Sequence, residues 1–264
     1  MSPQSLEGAV PAATVAAAPA LDLARVIDRS PLRDAPFDHI QMQEAFPAVF
    51  YRAMLGQFPD DSAFHPLHHR DALRADGTST RQRLYLYPES LWCLPAAQRR
   101  IWRQVGAALC APALQSAFKR KFRAALEDRF QQAVERIPLY PVPILVRDLP
   151  GYRIGIHADA LIKAITVQFY LPGDASQRHL GTVFHTRPQA KDGDRPVAMP
   201  FLPASGYAFA VRRKESWHSV PATTEADGER RSIMLTYYAD RAPRAKLQRR
   251  LQRLRILAGR NPRY

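Results

Sequence analysis

Residues 151–172 read GYRIGIHADALIKAITVQFYLP, and this stretch contains two short runs that predict β-strands. β-branched and aromatic residues are frequent in both runs, and Gly, Asp and Pro occur at their borders. The first run ends in His157-Ala158-Asp159. Residues i and i+2 of an extended segment point to the same side, so the side chains of His157 and Asp159 can both face the interior of a sheet or barrel.

Residues 139–238 contain four further runs of this kind, LYPVPILVRDL, GTVFHT, GYAFAVRR and RRSIMLTYY. Short strands separated by turn residues predict an antiparallel sandwich or barrel for this part of the chain. Strands and helices do not alternate along it, and neither of the common glycine-rich phosphate-binding motifs occurs. The pattern therefore argues against a nucleotide-binding α/β fold.

The first half of the chain has a different residue pattern, because its apolar residues recur with helical spacing. Three segments show this spacing, each with a proline at or near its start: EAFPAVFYRAMLGQF (44–58), PAAQRRIWRQVGAALC (95–110) and PALQSAFKRKFRAALEDRF (112–130). PFDHIQM (36–42) predicts an edge strand, and RQRLYLYP (81–88) predicts another strand. We therefore expect an α+β protein with a mainly β core, in which a helical part (36–136) forms a layer on the core (139–238).

Length and composition exclude several classes of protein. The 264 residues include only two cysteines, Cys93 and Cys110, which are too few for a disulfide framework and have no metal-binding spacing. Residues 1–20 are rich in Ala and Pro and lack a basic start, so they predict a disordered leader and not a signal peptide. No apolar stretch is long enough for a membrane span. A single domain over residues 21–240 in a cytoplasmic protein is the simplest expectation.

The net charge of +14 lies mostly at the C-terminus. Residues 241–264 hold eight Arg and one Lys without any acid, which leaves +5 for the first 240 residues. Nucleic-acid binding by the domain itself is therefore not favoured. Leu247, Leu251, Leu254 and Ala258 lie along one face of a predicted basic helix. We expect this face to pack on the domain while the Arg residues are solvated; the alternative is an arm that recruits an acidic partner, an anionic substrate or a membrane surface.

Two His-x-Asp triplets could bind a metal ion. His69-Arg70-Asp71 lies in a loop rich in His and Pro, which favours a solvated loop over a metal-binding tract or a lid. His157-Ala158-Asp159 ends a predicted strand, and His218 lies at the end of another predicted strand. Two His and one carboxylate are the ligand set that holds non-haem Fe(II) and leaves coordination positions open. Zinc is chemically possible, but the chain has no HExxH motif.

Twelve residues after His218, the strand RRSIMLTYY begins with two arginines. Arg230 and Ser232 lie on one face and Arg231 lies on the other, and a register slip of one residue would exchange them. An Arg that points into a barrel is costly unless an anion pairs with it. A ligand carboxylate would be a suitable anion, because the guanidinium group can bind it with two hydrogen bonds.

The order of these motifs resembles that of the Fe(II)/2-oxoglutarate-dependent oxygenases. HxD is followed after about sixty residues by His and after about a dozen more by R-x-S, over residues 139–238. The resemblance implies a double-stranded β-helix, or jelly roll, in which His157, Asp159 and His218 bind iron. It further implies that Arg230 binds the C5 carboxylate of 2-oxoglutarate, with Ser232 on the same face. Tyr170 occupies the place of a frequent 2-oxoglutarate hydrogen-bond donor, although a core aromatic is an equal interpretation.

The resemblance also implies a reaction that consumes O2 and 2-oxoglutarate. Halogenating relatives lack the ligating carboxylate, so the presence of Asp159 favours hydroxylation or a related desaturation or cyclisation. We expect a small-molecule substrate, with a prolyl-hydroxylase-like modification of a protein or peptide as the alternative. Nucleic-acid demethylases of this kind carry a second Arg six residues after the first, where this chain has Thr236. A non-catalytic jelly-roll binding protein is disfavoured because all three ligands are present.

Overall fold

The computed structural model describes residues 21–67, 72–239, 251 and 253–255. Within these residues the helices α1 to α5 are Leu23–Arg29, Ala48–Gly56, Ala96–Leu109, Pro112–Lys121 and Arg123–Phe130. The strands β1 to β12 are Leu32–Arg33, His39–Met42, His65–Pro66, Arg81–Tyr85, Leu139–Asp148, Ile154–Ala158, Lys163–Tyr170, Thr182–His185, Val197–Met199, Gly206–Ala210, Trp217–Val220 and Arg230–Ala239. None of the helices in this part of the chain combines the length and the apolar character that crossing a bilayer requires.

The strands form two antiparallel sheets. The large sheet has the order β1-β2-β10-β7-β12-β5-β4-β3, and the small sheet has the order β6-β11-β8-β9. Phe184 and Met199 of the small sheet share a buried cluster with Tyr170, Tyr207 and Phe209 of the large sheet. Two antiparallel sheets that enclose an apolar interior are consistent with a jelly roll.

The other face of the large sheet packs against the helices. Along β12, Ile233, Leu235 and Tyr237 belong to the same buried cluster as the apolar side chains of α3, α4 and α5. The ring of Phe118 in α4, for example, lies edge-on to that of Tyr237 with 5.6 Å between centroids. Because strand residues alternate between faces, the intervening residues of β12 point to the opposite face of the sheet, where Arg230 lies against Tyr170 and Phe201. One strand thus builds the helix-side core and one wall of the sheet interior.

Three local features differ from the predictions. Helix α1 was not predicted, because only Leu23, Val26 and Ile27 are buried in its seven residues and so short a pattern carries little signal. Strand β2 is not an edge strand, since β1 pairs with its outer side. The helix predicted over 112–130 divides at Phe122, whose backbone leaves the helical region between α4 and α5.

The structure corrects the preferred interpretation of the basic tail. Residue 251 and residues 253–255 are helical, yet the side chains of Leu251 and Leu254 are 48% and 57% exposed. It is Arg253 that contacts the domain, where its Nη2 lies 2.9 Å from Oε2 of Glu89 and its Cζ lies 4.7 Å from the ring centre of Tyr87. A carboxylate and an aromatic face together hold this guanidinium better than water does. The leader, the loop triplet at 69–71 and the rest of the tail lie outside the described residues.

The close approach of α3 to the large sheet yields a test of the helix-side core. A Cβ at Gly106 would lie 2.1 Å from the carbonyl oxygen of Leu86, whereas a Cβ at Gly56 would meet nothing within 4 Å. Gly106→Ala should therefore lower the free energy of unfolding by about 1–3 kcal/mol, although alanine is the better helix former. Gly56→Ala should leave it unchanged or slightly higher. Urea denaturation of both variants measures these free energies. Equal stabilities of the two variants would contradict the close packing of Gly106 against Leu86.

Candidate metal centre

Strands β6 and β11 bring three potential metal ligands together. The two strands are antiparallel neighbours in which His218 pairs directly with His157, and Asp159 follows the last residue of β6. The imidazole centroids of His157 and His218 lie 4.2 Å apart. One ligand atom from each of His157, Asp159 and His218 lies within 4.8 Å of the others, so the three side chains could hold one metal ion.

Backbone hydrogen bonds orient both imidazoles. Nδ1 of His157 lies 3.0 Å from the carbonyl oxygen of Gly155, and Nδ1 of His218 lies 3.0 Å from that of Ser216. A carbonyl oxygen only accepts, so each Nδ1 carries a proton, and Nε2 is the nitrogen of each ring that a metal ion could bind. Burial lowers the pKa of His218 to about 4, against the opposing charge of Asp159. At neutral pH His218 is therefore the neutral imidazole that a metal ion requires.

Asp159 is ionised and held on both oxygens. Burial alone would raise the pKa of its carboxyl, but the charge of Lys163, the neighbouring His218 and hydrogen bonds keep it well below the usual value. Thr166 Oγ1 donates to Oδ2 at 2.6 Å, and Lys163 Nζ forms an ion pair with Oδ1. Sequence reasoning missed both partners; the only signal was a lysine four residues after Asp159.

A second charged cluster lies where β4, β5 and β12 are adjacent. Asp148 pairs in register with both Arg81 and Arg230, and all three side chains turn to the same face. Arg81 contacts the carboxylate through Nε at 2.5 Å and Nη2 at 3.0 Å, and Arg230 contacts it through Nη1 at 2.8 Å. Two guanidinium groups around one carboxylate leave this cluster with a net charge of +1. Neither Arg81 nor Asp148 was among the predicted site residues.

One nitrogen of the Arg230 guanidinium has no hydrogen-bond acceptor in the described part of the chain, although the side chain is completely buried. Its Nε donates to the carbonyl oxygen of Leu180 at 2.8 Å and its Nη1 donates to Asp148, but among the described residues nothing accepts from Nη2. The guanidinium also lies 5.3 Å from the ring centre of Tyr170 and 4.9 Å from that of Phe201. A buried cationic donor without an acceptor is costly, and a carboxylate oxygen of a ligand would satisfy it.

Arg231 lies on the opposite face of β12. Its Nε is 3.1 Å from Oε2 of Glu229, its Cζ is 4.4 Å from the ring centre of Phe58, and its side chain is 41% exposed. The register of β12 therefore turns Arg230 into the interior and Arg231 out of it. The sequence left open whether Arg230 or Arg231 points inward, and the pairing of Arg230 with Asp148 distinguishes the two orientations.

Tyr170 and Ser232 belong to a buried polar network. The Tyr170 hydroxyl accepts from the Thr182 N–H at 2.9 Å, while Ser232 Oγ accepts from Gln168 Nε2 at 2.9 Å. The side-chain Oε1 of Gln168 accepts in turn from the Tyr207 hydroxyl at 2.8 Å. Burial raises the pKa of both tyrosines, so these groups are neutral. The structure thus places Tyr170 both in the aromatic core and beside Arg230, and Gln168 and Tyr207 are additions to the predicted set.

No protein-family model matches the chain, and no curated protein matches it. Among solved structures, a prolyl-4-hydroxylase from Pseudomonas putida aligns with a TM-score of 0.51 and 17% identity, over 82% of this chain and 98% of that one. A 2OG-Fe(II) oxygenase family oxidoreductase from Burkholderia pseudomallei has a TM-score of 0.46 and 15% identity, over 82% and 88%. The α-ketoglutarate-dependent epimerase SnoN of nogalamycin biosynthesis aligns with a TM-score of 0.49 and 12% identity, over 83% of each chain. At this level of identity, the first of these likenesses shows that the chain shares the fold of the prolyl-4-hydroxylase.

The ligand geometry predicts one divalent metal ion per chain. Metal-free protein titrated calorimetrically with Mn(II) should show one site, and His157→Ala or His218→Ala should remove measurable binding because each deletes one of three ligands. His69→Ala is the matched control from the other triplet and should bind as the wild type does. If the His69 variant lost binding while the His157 variant kept it, the metal would be bound by the 69–71 triplet and the assignment to His157 would be wrong.

Proposed function

We propose that the protein is an Fe(II)- and 2-oxoglutarate-dependent oxygenase that hydroxylates a C–H bond of a small molecule. The observation that carries the proposal is the cluster of His157, Asp159 and His218, with ligand atoms within 4.8 Å of one another. Two imidazoles and one carboxylate suit Fe(II) and leave coordination positions for a co-substrate and O2. The fold shared with a prolyl-4-hydroxylase agrees with this assignment.

The residues of the centre divide between holding the metal and preparing its ligands. Gly155 and Ser216 accept the Nδ1 protons, which directs both Nε2 lone pairs toward the metal position. Asp159 contributes the charge that a divalent cation needs. Bound iron and 2-oxoglutarate would together supply the oxidation, in which O2 is consumed and succinate and CO2 are formed. The residues of this chain would bind the metal and the co-substrate, orient the substrate and exclude water from the site.

The free donor of Arg230 supports a role in binding 2-oxoglutarate. Its Nη2 would donate to the C5 carboxylate, which would also balance the net charge of +1 on the cluster of Arg81, Asp148 and Arg230. Tyr170 lies beside this guanidinium, and its hydroxyl group, which accepts from the Thr182 N–H, would donate its own proton to a ligand oxygen. Ser232 lies two residues along the same face of β12 and would contribute its hydroxyl group.

The substrate class is proposed as a small-molecule metabolite, with peptidyl proline as the alternative. The alternative draws on the prolyl-4-hydroxylase whose fold the chain shares. Demethylation of nucleic acid is less well supported, because the strand position that would carry a second arginine is the buried Thr236. With Fe(II) and 2-oxoglutarate present, a panel of metabolites should stimulate succinate formation while proline-containing peptides do not. Stimulation by peptides alone would establish the alternative.

The two adjacent arginines of β12 provide a matched test of co-substrate binding. Arg230→Ala removes the buried cation proposed to pair with the C5 carboxylate, so half-saturation should need at least about 100-fold more 2-oxoglutarate, because removing one partner of a buried charge pair costs about 3–5 kcal/mol. Arg231→Ala removes a partly exposed ion pair with Glu229, worth about 0–1 kcal/mol. It should change the 2-oxoglutarate concentration at half-saturation less than about fivefold.

The measurement is the visible charge-transfer band that forms when 2-oxoglutarate is added anaerobically to the Fe(II) protein. Circular dichroism of both variants controls for folding, because Arg230 also holds Asp148. Equal effects of the two substitutions, or a larger effect of Arg231→Ala, would contradict the assigned role of Arg230.

A further inference from the structure

The carboxylate of Asp159 already has a cation on one of its oxygens. Lys163 Nζ contacts Oδ1, and Thr166 Oγ1 donates to Oδ2 at 2.6 Å. The Asp159 side chain is 5% exposed and that of Lys163 is 23% exposed, so water screens this pair far less than it screens a surface pair. Lys163 thus contacts the same group that a metal ion at this site would require.

A β-bulge places Lys163 in this position. The pairing of β7 with β12 shifts by one residue, because Tyr237 pairs with Ile165 whereas Tyr238 pairs with Lys163. Ala164 is the extra residue, and both Ala164 and Ile165 pack into the helix-side core. In a regular strand Lys163 and Thr166, three residues apart, would project from opposite faces. The bulge turns both toward Asp159.

A half-buried side chain from the helical layer contacts the backbone of the bulge. Arg129 of α5 donates through Nη1 to the carbonyl oxygen of Lys163 at 2.7 Å, and it also bonds the carbonyl oxygens of Leu161 and Val211. Arg129 therefore contacts the segment that carries Lys163 at two carbonyl groups and links it to Val211, the residue after β10. The contact of Lys163 with Asp159 therefore depends on the fold, unlike a contact made by a freely rotating surface lysine.

We propose that the Lys163 ammonium and the metal ion compete for Asp159, so that metal binding displaces the ammonium from Oδ1. This inference rests on the proposed metal site. A divalent ion on the carboxylate would lie a few ångströms from the ammonium, and like charges at that distance repel strongly where screening is weak. In the metal-free protein, Lys163 instead neutralises a buried carboxylate that would otherwise be unpaired.

Both effects of Lys163 act in the same direction on metal affinity. The ammonium stabilises the metal-free state by pairing with Asp159, and it destabilises the metal-bound state by repulsion. Lys163 therefore raises the concentration of any divalent ion needed to fill the site. Thr166 has the opposite role, because its hydroxyl orients the carboxylate without competing for it.

The test uses Mn(II) binding to metal-free protein, without 2-oxoglutarate or turnover. Lys163→Met should bind Mn(II) at least about tenfold more tightly than the wild type, because one unit charge is removed beside the site. Its melting temperature without metal should be lower, and its rise on Mn(II) addition should be larger. Lys163→Arg should bind like the wild type because it keeps the charge, and so should Lys191→Met at an exposed lysine. Thr166→Val should bind more weakly.

The possible outcomes separate this inference from the proposed function. Unchanged or weaker Mn(II) binding by Lys163→Met would overturn the competition while leaving the metal site intact. Absence of Mn(II) binding by the wild type and by Lys163→Met would overturn both. Should Lys163→Met fail to fold, Lys163→Gln carries the same expectation, since it removes the charge but keeps a hydrogen-bond donor for Asp159.

Discussion

The buried carboxylate of Asp148 is the contact on which the interior of the large sheet depends. It is completely shielded from water and binds Arg81 and Arg230 from the strands on either side. One carboxylate between two guanidinium groups holds β4, β5 and β12 in a common register at this end of the sheet. Because the carboxylate satisfies only part of the Arg230 guanidinium, the same contact leaves Nη2 as a donor for a ligand.

Two groups of charged side chains face the interior, and only one of them is neutral without a ligand. The cluster of Asp148 with its two arginines has a net charge of +1, whereas Asp159 and Lys163 together are neutral. A divalent metal ion and a dianionic co-substrate would add opposite charges of equal size, so binding both would leave the interior charge unchanged. The neutral network around Gln168 and Tyr207 contributes hydrogen bonds without further charge. Such balance matters because an uncompensated charge is costly in a site that excludes water.

The helical layer affects the site through the strands that it supports. Ile233, Leu235 and Tyr237 anchor one face of β12 in the helix-side core, and strand alternation then orients the opposite face toward the interior. Arg129 extends the same support from α5 to the backbone at Lys163. Packing far from the metal ligands thus determines which side chains reach them, and the one-residue bulge at Ala164 is the clearest example.

Local sequence pattern was sufficient to predict the longer strands, but not the short strands β1, β3 and β9. It also indicated that His157 and Asp159 share one side, because spacing of two in an extended segment is a property of the backbone itself. The resemblance to the Fe(II)/2-oxoglutarate-dependent oxygenases implied a jelly roll, and the two antiparallel sheets are consistent with it. Only the tertiary structure decided that Arg230 and not Arg231 points inward, since this choice depends on pairing with Asp148, eighty-two residues away. It also decided the positions of Lys163 and Arg253, through a strand bulge and a contact with Glu89. Register, bulges and contacts between distant segments arise from packing of the whole chain, and no local pattern records them.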